Sequence, residues 1–164
     1  MDPVTNTETL LTIAQVAITL IGFSGIVVVI GERAITKWTP EEWLRFYALI
    51  APTLTAFFCS FVPILVGMVS GESDVVWRVS NAVLGLAHLA NFAVFLMNPK
   101  KAEITLGQRL NGVVGAATIA AHFLAAAAIV PWYIPIFVFG LLQQLWVGIH
   151  NFLLLFKPTA SEVG

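Results

Sequence analysis

Three histidines, His88, His122 and His150, sit deep in apolar stretches and are the groups there that titrate near neutral pH. Each has polar company at helical spacing. Asn81, His88 and Asn91 are seven and three residues apart; Asn111, Thr118 and His122 are seven and four apart; Gln143 and His150 are seven apart, with Trp146 between them and Gln144 and Asn151 alongside. Residues at these intervals share one face of a helix, so the chain carries three polar stripes, each ending in or passing through a histidine. Imidazoles and amides in an apolar setting can line a path for protons, ions or a small polar solute, with histidine protonation as a gate. Histidines on different helices can also serve as axial ligands of a haem. That reading is weaker, because axial ligands sit at matching depth and three is an odd number. No metal site is expected, since no cysteine or carboxylate stands beside the imidazoles. The structural alternative is that Asn, Gln and His hydrogen-bond between packed helices, at about 0.6–2 kcal/mol each. For any one residue that alternative is the stronger; for the three stripes together a path is, because ionisable groups at membrane depth are costly and mark sites.

The composition sets the medium in which these groups work. Hydrophobic residues make up 59% of the 164 residues and charged ones 10%, with a mean hydropathy of +0.91. Soluble domains run near about 25% charged, so the chain reads as an integral membrane protein whose first partner is the lipid bilayer. A net charge of −1 and the lack of a basic arm exclude nucleic acid as a partner. Cys59 is the only cysteine, so no disulfide can form within the chain. Residues 1–8 hold no Lys or Arg and lack the basic region of a secretory signal peptide. The first apolar run is therefore expected to remain as a span. A plasma membrane or a bacterial inner membrane is the expected location.

The elements follow from run lengths and breakers. From Leu106 to Lys157, roughly fifty residues carry no charge except Arg109 and Lys157, and Pro131-Trp132-Tyr133-Ile134-Pro135 interrupts them. One crossing needs about 20 apolar residues, and proline disfavours helix at the residue before it. The run therefore predicts a hairpin of two spans, about 108–130 and 134–156. Three more are predicted at about 10–30, 43–69 and 76–97. The fold class is thus an all-α bundle of five transmembrane helices forming one domain over 1–164.

In the first span Thr12, Gln15, Thr19 and Gly22 share a face, which reads as a packing seam or the polar lining of a wet path; Gly22 and Gly25 would let another helix approach. Thr39-Pro40-Glu41-Glu42 predicts a capped helix start. Pro52 and Pro63 should bend the second span, with Ser60 placed to satisfy a freed carbonyl. Gly112, Ala116 and Ala120 recur every four residues, a pattern of close helix contacts.

Basic residues fix the expected orientation. Arg33, Lys37, Arg45, Lys100, Lys101, Arg109 and Lys157 fall on one side and Arg78 alone on the other. Seven against one places the N-terminus outside and the C-terminus in the cytoplasm. At about 1.5 Å per residue, His122 then lies toward the outside, His88 near the midplane and His150 toward the cytoplasm, a ladder rather than a ring. No nucleophile elbow, phosphate loop or dinucleotide fingerprint appears, so no enzyme is expected. The expected function is an oligomeric channel or small transporter whose path is lined or gated by His88, His122, His150, Asn91, Gln143 and Gln15. Because five close-packed helices leave little room, the path is expected in a homo-oligomer. A non-conducting scaffold, sensor or partner subunit is the alternative, and a haem-binding redox protein the third.

Overall fold

Residues 3–30, 38–71, 73–97 and 106–155 are described by the structure, a computed structural model. They form five helices: α1 (Pro3–Ile30), α2 (Pro40–Ser70), α3 (Asp74–Leu96), α4 (Leu106–Ala126) and α5 (Tyr133–Leu155). The basic connector around Arg33 and Lys37, the stop at Asn98-Pro99-Lys100-Lys101, and Lys157 lie outside the described residues.

The start of α2 forms as its sequence demands. Thr39 Oγ1 accepts from the Glu42 backbone N–H at 3.2 Å, and the Glu42 carboxylate accepts from the Thr39 N–H at 2.6 Å. Two otherwise unsatisfied donors are thereby closed in a capping box. Pro52 and Pro63 both lie inside α2 and are buried. Ser60 does not serve the carbonyl that Pro63 frees, which is that of Cys59; its Oγ donates to Ala56 O at 2.7 Å. A helical serine reaches back one full turn, and the residue just before it is out of reach.

The break between α4 and α5 falls earlier than the prolines imply. Helix α4 ends at Ala126, four residues short of the expected 130. Ala128 takes a left-handed φ of 60°; its N–H bonds Ala125 O at 3.0 Å, and the Ile129 N–H bonds Leu124 O at 2.9 Å. This is a Schellman closure with alanine where glycine is usual. Pro135 sits in the first turn of α5, where its missing N–H costs nothing.

Four helices, not five, are long and apolar enough to cross a membrane: residues Asn6–Ile26 of α1, and α2, α3 and α5. Helix α4 falls short. In 21 residues it carries Gln108, Arg109, Asn111, Thr118 and His122, and many of its apolar positions are only Ala or Gly. The expectation of five spans is corrected accordingly, and with it the parity that set the two termini on opposite sides.

The bundle is apolar outside, and its interior holds polar side chains beside an apolar core. Phe58, Leu86, Val113 and Leu153 are exposed, whereas Asn81, His88, His122, Gln143, Gln144 and Asn151 are buried. Such a surface suits lipid rather than water, and the four helices of crossing length suggest a multi-pass membrane protein. Helix α5 is central and touches each of the other four; α2 packs on α1, α3 and α5, while α4 lies against α3 and α5. Leu10, Ile13, Ala17, Ala56, Leu84, Phe137 and Leu141 form the apolar core.

Two arginines tie helix ends together. Arg45, ion-paired with Glu41, donates from Nη1 to Leu154 O at 3.0 Å near the end of α5. Arg78 donates from Nε to Ala126 O at 3.1 Å at the end of α4. Each places a cation at the negative end of a helix dipole. The starts of α2 and α4 and the end of α5 thus share one end of the bundle.

On α1 the expected seam is not used within the chain. Thr12, Gln15, Thr19 and Gly22 face outward, and the two threonines bond back to Glu8 O and Gln15 O. The buried face is Leu10, Ile13, Ala14, Ala17 and Ser24, because the apolar residues there gain more from the core. No neighbouring atom lies within 4 Å of where a β-carbon would stand at Gly22, Gly25 or Gly112.

Candidate functional site

The three stripes turn inward and meet across helices. Asn81 on α3 donates from Nδ2 to Trp77 O at 2.8 Å and to Tyr133 O at 2.9 Å. Its Oδ1 therefore faces His122 on α4, 2.8 Å from Nδ1. Since that oxygen can only accept, His122 carries its proton on Nδ1 and leaves Nε2 bare. His122 is wholly buried and is gripped by two glycines. A β-carbon at Gly140 on α5 would collide with the imidazole at Nε2, and one at Gly85 on α3 would stand 3.0 Å from His122 Cβ. Glycine is required here so that the ring can lie against backbone.

His88 is the next rung. Its ring centroid is 6.2 Å from that of His122, edge to face. His88 Nε2 lies toward Gly115 on α4, 3.5 Å from where a β-carbon would be, and Gln143 Nε2 lies at the same distance from that point. Each histidine thus rests on a glycine of a neighbouring helix: His88 on Gly115, His122 on Gly140, and His150 on Gly107, whose β-carbon would stand 2.9 Å from His150 Cε1.

Below His88 the helices part around a half-open cavity of about 80 Å³. Leu44 and Gln108, in the early turns of α2 and α4, stand at one end, and His88, Gly115 and Gln143, near the middles of their helices, form its depth. Its polar lining is Asn91, Gln108, Asn111, Gln144 and Asn151 besides His88 and Gln143, with Tyr47, Phe92 and Phe95 as aromatic walls. No Asp, Glu, Lys or Arg is among these residues. Asn91 Nδ2 donates to Thr55 Oγ1 at 3.0 Å, Asn111 Oδ1 accepts from Trp146 Nε1 at 3.0 Å, and Asn151 Nδ2 donates to Val147 O at 2.9 Å. Among the described residues, three groups of the lining are buried without a partner: His88 Nδ1, Gln143 Oε1 and Gln144 Nε2. Their residues are 4%, 7% and 1% exposed. A buried polar atom left unpaired costs about 1–3 kcal/mol, so three around one cavity are a concentration of unspent hydrogen-bonding capacity.

Of the residues predicted for a path, His88, Asn91 and Gln143 line this cavity, and His122 closes its inner end. His150 lies at the α4-start end of the bundle outside the lining, and Gln15 faces outward from α1, away from the others. Thr118 bonds back to Val114 O at 2.8 Å. The site residues missed as such are Gln144, Asn111, Asn151, Gly115 and Tyr47. The adjacent pair Gln143-Gln144 was the available signal, since two neighbouring amides on one span cannot both face lipid without cost.

The geometry bears on the cofactor alternatives. His122 Nε2 points to Gly140 and His88 Nε2 to Gly115, so the two nitrogens do not converge on a point where an iron would be held. Among the described residues, no three His, Cys, Asp or Glu side chains come together to hold a metal ion. No protein-family model, curated protein or solved structure matches this chain, so the chemistry of the site rests on its own geometry.

Proposed function

We propose that this protein moves a small polar solute across a membrane along a path of amides and imidazoles inside its helix bundle. The observation that carries the reading is the half-open cavity with three buried, unpartnered polar groups at its depth, continued by the His88–His122–Asn81 file toward the opposite end of the bundle. A cavity reaching mid-bundle and stopped by a packed polar plug is the form expected of a path closed at one gate. The lining belongs to a single chain, which makes each protomer its own path. A homo-oligomer remains part of the proposal, with the exposed Ala116 and Ala120 as a seam for a second copy, whereas Gly112 lines the cavity. The end of the bundle where Arg45 and Arg109 lie is taken as cytoplasmic, by the excess of basic residues there.

The test is flux into vesicles reconstituted with purified protein, against protein-free vesicles, across protons, small ions and uncharged solutes. Faster entry of at least one of them, reduced in His88→Ala and His122→Ala variants that remain folded, is the expected outcome. Vesicles silent to every solute would refute transport and move the assignment to a non-conducting scaffold or partner subunit.

A further inference from the structure

We infer that the cavity recognises an uncharged primary amide or urea-type solute. The inference rests on the reading of the cavity as part of a transport path, and it concerns which chemistry that path accepts.

The unpaired groups decide the charge of the ligand. Gln144 Nε2 is a donor and Gln143 Oε1 an acceptor, and both are buried without a partner. A cation would satisfy the acceptor but leave an N–H dipole aimed at it; an anion would satisfy the donor but face a carbonyl oxygen. Exchanging O and N in both amides together still leaves one donor and one acceptor unpaired. Among the described residues, no formal charge lines the cavity to offset the desolvation of an ion. A neutral solute carrying both a donor and an acceptor meets both demands.

The arrangement also narrows the neutral class. Each glutamine presents its donor and acceptor in one plane, side by side, which is the complement of another planar amide and not of a tetrahedral polyol. His88 Nδ1, also unpaired, adds a third group that can donate or accept according to tautomer. Gly115 leaves the floor between His88 and Gln143 open. The cavity of about 80 Å³ has room for several water molecules, which suits a molecule of the size of urea or acetamide.

Stopped-flow light scattering of vesicles containing the full chain tests this, with urea, acetamide and glycerol as probes and acetamide binding to the detergent-solubilised protein measured in parallel by NMR. Urea and acetamide should enter faster than glycerol. Replacing either glutamine, as Gln143→Leu or Gln144→Leu, removes one buried hydrogen bond to the solute and should slow amide entry about tenfold. Gly115→Ala serves where those variants fail to fold. Its methyl would make only ordinary contacts at 3.5 Å, so it should fold, narrow the floor and weaken acetamide more than urea. Glycerol or ions passing as fast as the amides would overturn the amide assignment and leave transport standing. Acetamide binding that is lost in the variants, without flux, would uphold the assignment and refute transport. Neither binding nor flux of either amide would overturn the assignment outright.

Discussion

Gly140→Ala is the substitution that most directly tests the packing of the polar file. The added methyl would occupy the position of the His122 ring at Nε2, with Leu84 Cδ2 3.1 Å away on its other side. The imidazole cannot withdraw easily. Its Nδ1 is held by Asn81 Oδ1 at 2.8 Å, and Gly85 backs its Cβ at the limit of ordinary contact. Overpacking of a filled interior costs about 1–3 kcal/mol, and moving the ring also forfeits its interhelical hydrogen bond, about 0.6–1.7 kcal/mol in membranes. The expected loss is therefore about 2–4 kcal/mol, or roughly 4–16 °C in melting midpoint for a chain of this size. It is read by thermal or denaturant unfolding in detergent, followed by tryptophan fluorescence. The control is His122→Ala combined with Gly140→Ala. Removing the ring removes the collision, so the double variant should be more stable than the sum of the two single losses, with a coupling of about 1–2 kcal/mol. A Gly140→Ala protein as stable as wild type, or strictly additive losses, would refute the placement of His122 against α5.

Two further outcomes concern the helix ends. Ala128→Gly should stabilise the protein by about 1 kcal/mol, since the left-handed φ of 60° penalises a β-carbon and not glycine; a lower melting midpoint would count against that turn. Thr39→Ala removes one half of the capping box at α2 and should cost about 1 kcal/mol, whereas Thr39→Ser should restore most of it.

The sequence exposed the class of the fold and much of its inner surface. Run length and the Pro131–Pro135 interruption indicated the α4–α5 hairpin, and Thr39-Pro40-Glu41-Glu42 marked the start of α2 to the residue. The stripes were legible because helical spacing decides which side chains share a face, and Asn81, His88 and Gln143 do turn inward. What spacing cannot give is the partner on the next helix. That Asn81 holds His122 rather than its own stripe-mate His88, or that Gly115 and Gly140 lie under histidines, depends on helix rotation and register. The polar face of α1 misled for the same reason: Gln15 shares a face with Thr12 and Thr19, yet no described helix covers it. The early end of α4 was hidden because Ala125 to Ala128 is, by propensity, good helix. The amide and imidazole stripes of α3, α4 and α5 face each other, and the cavity they line is bounded by described residues of one chain.

The central position of α5 has a consequence for how the molecule is made. It is the last of the five helices to leave the ribosome, yet it is the one that every other helix touches. Until it arrives, the glycine at position 140 is missing from beneath His122, Asn81 lacks the Tyr133 carbonyl, and Arg45 lacks the Leu154 carbonyl. The earlier helices must therefore wait as an open shell with their polar sides unsealed, and assembly is completed from the inside, by the insertion of a final core strut rather than by the addition of an outer layer.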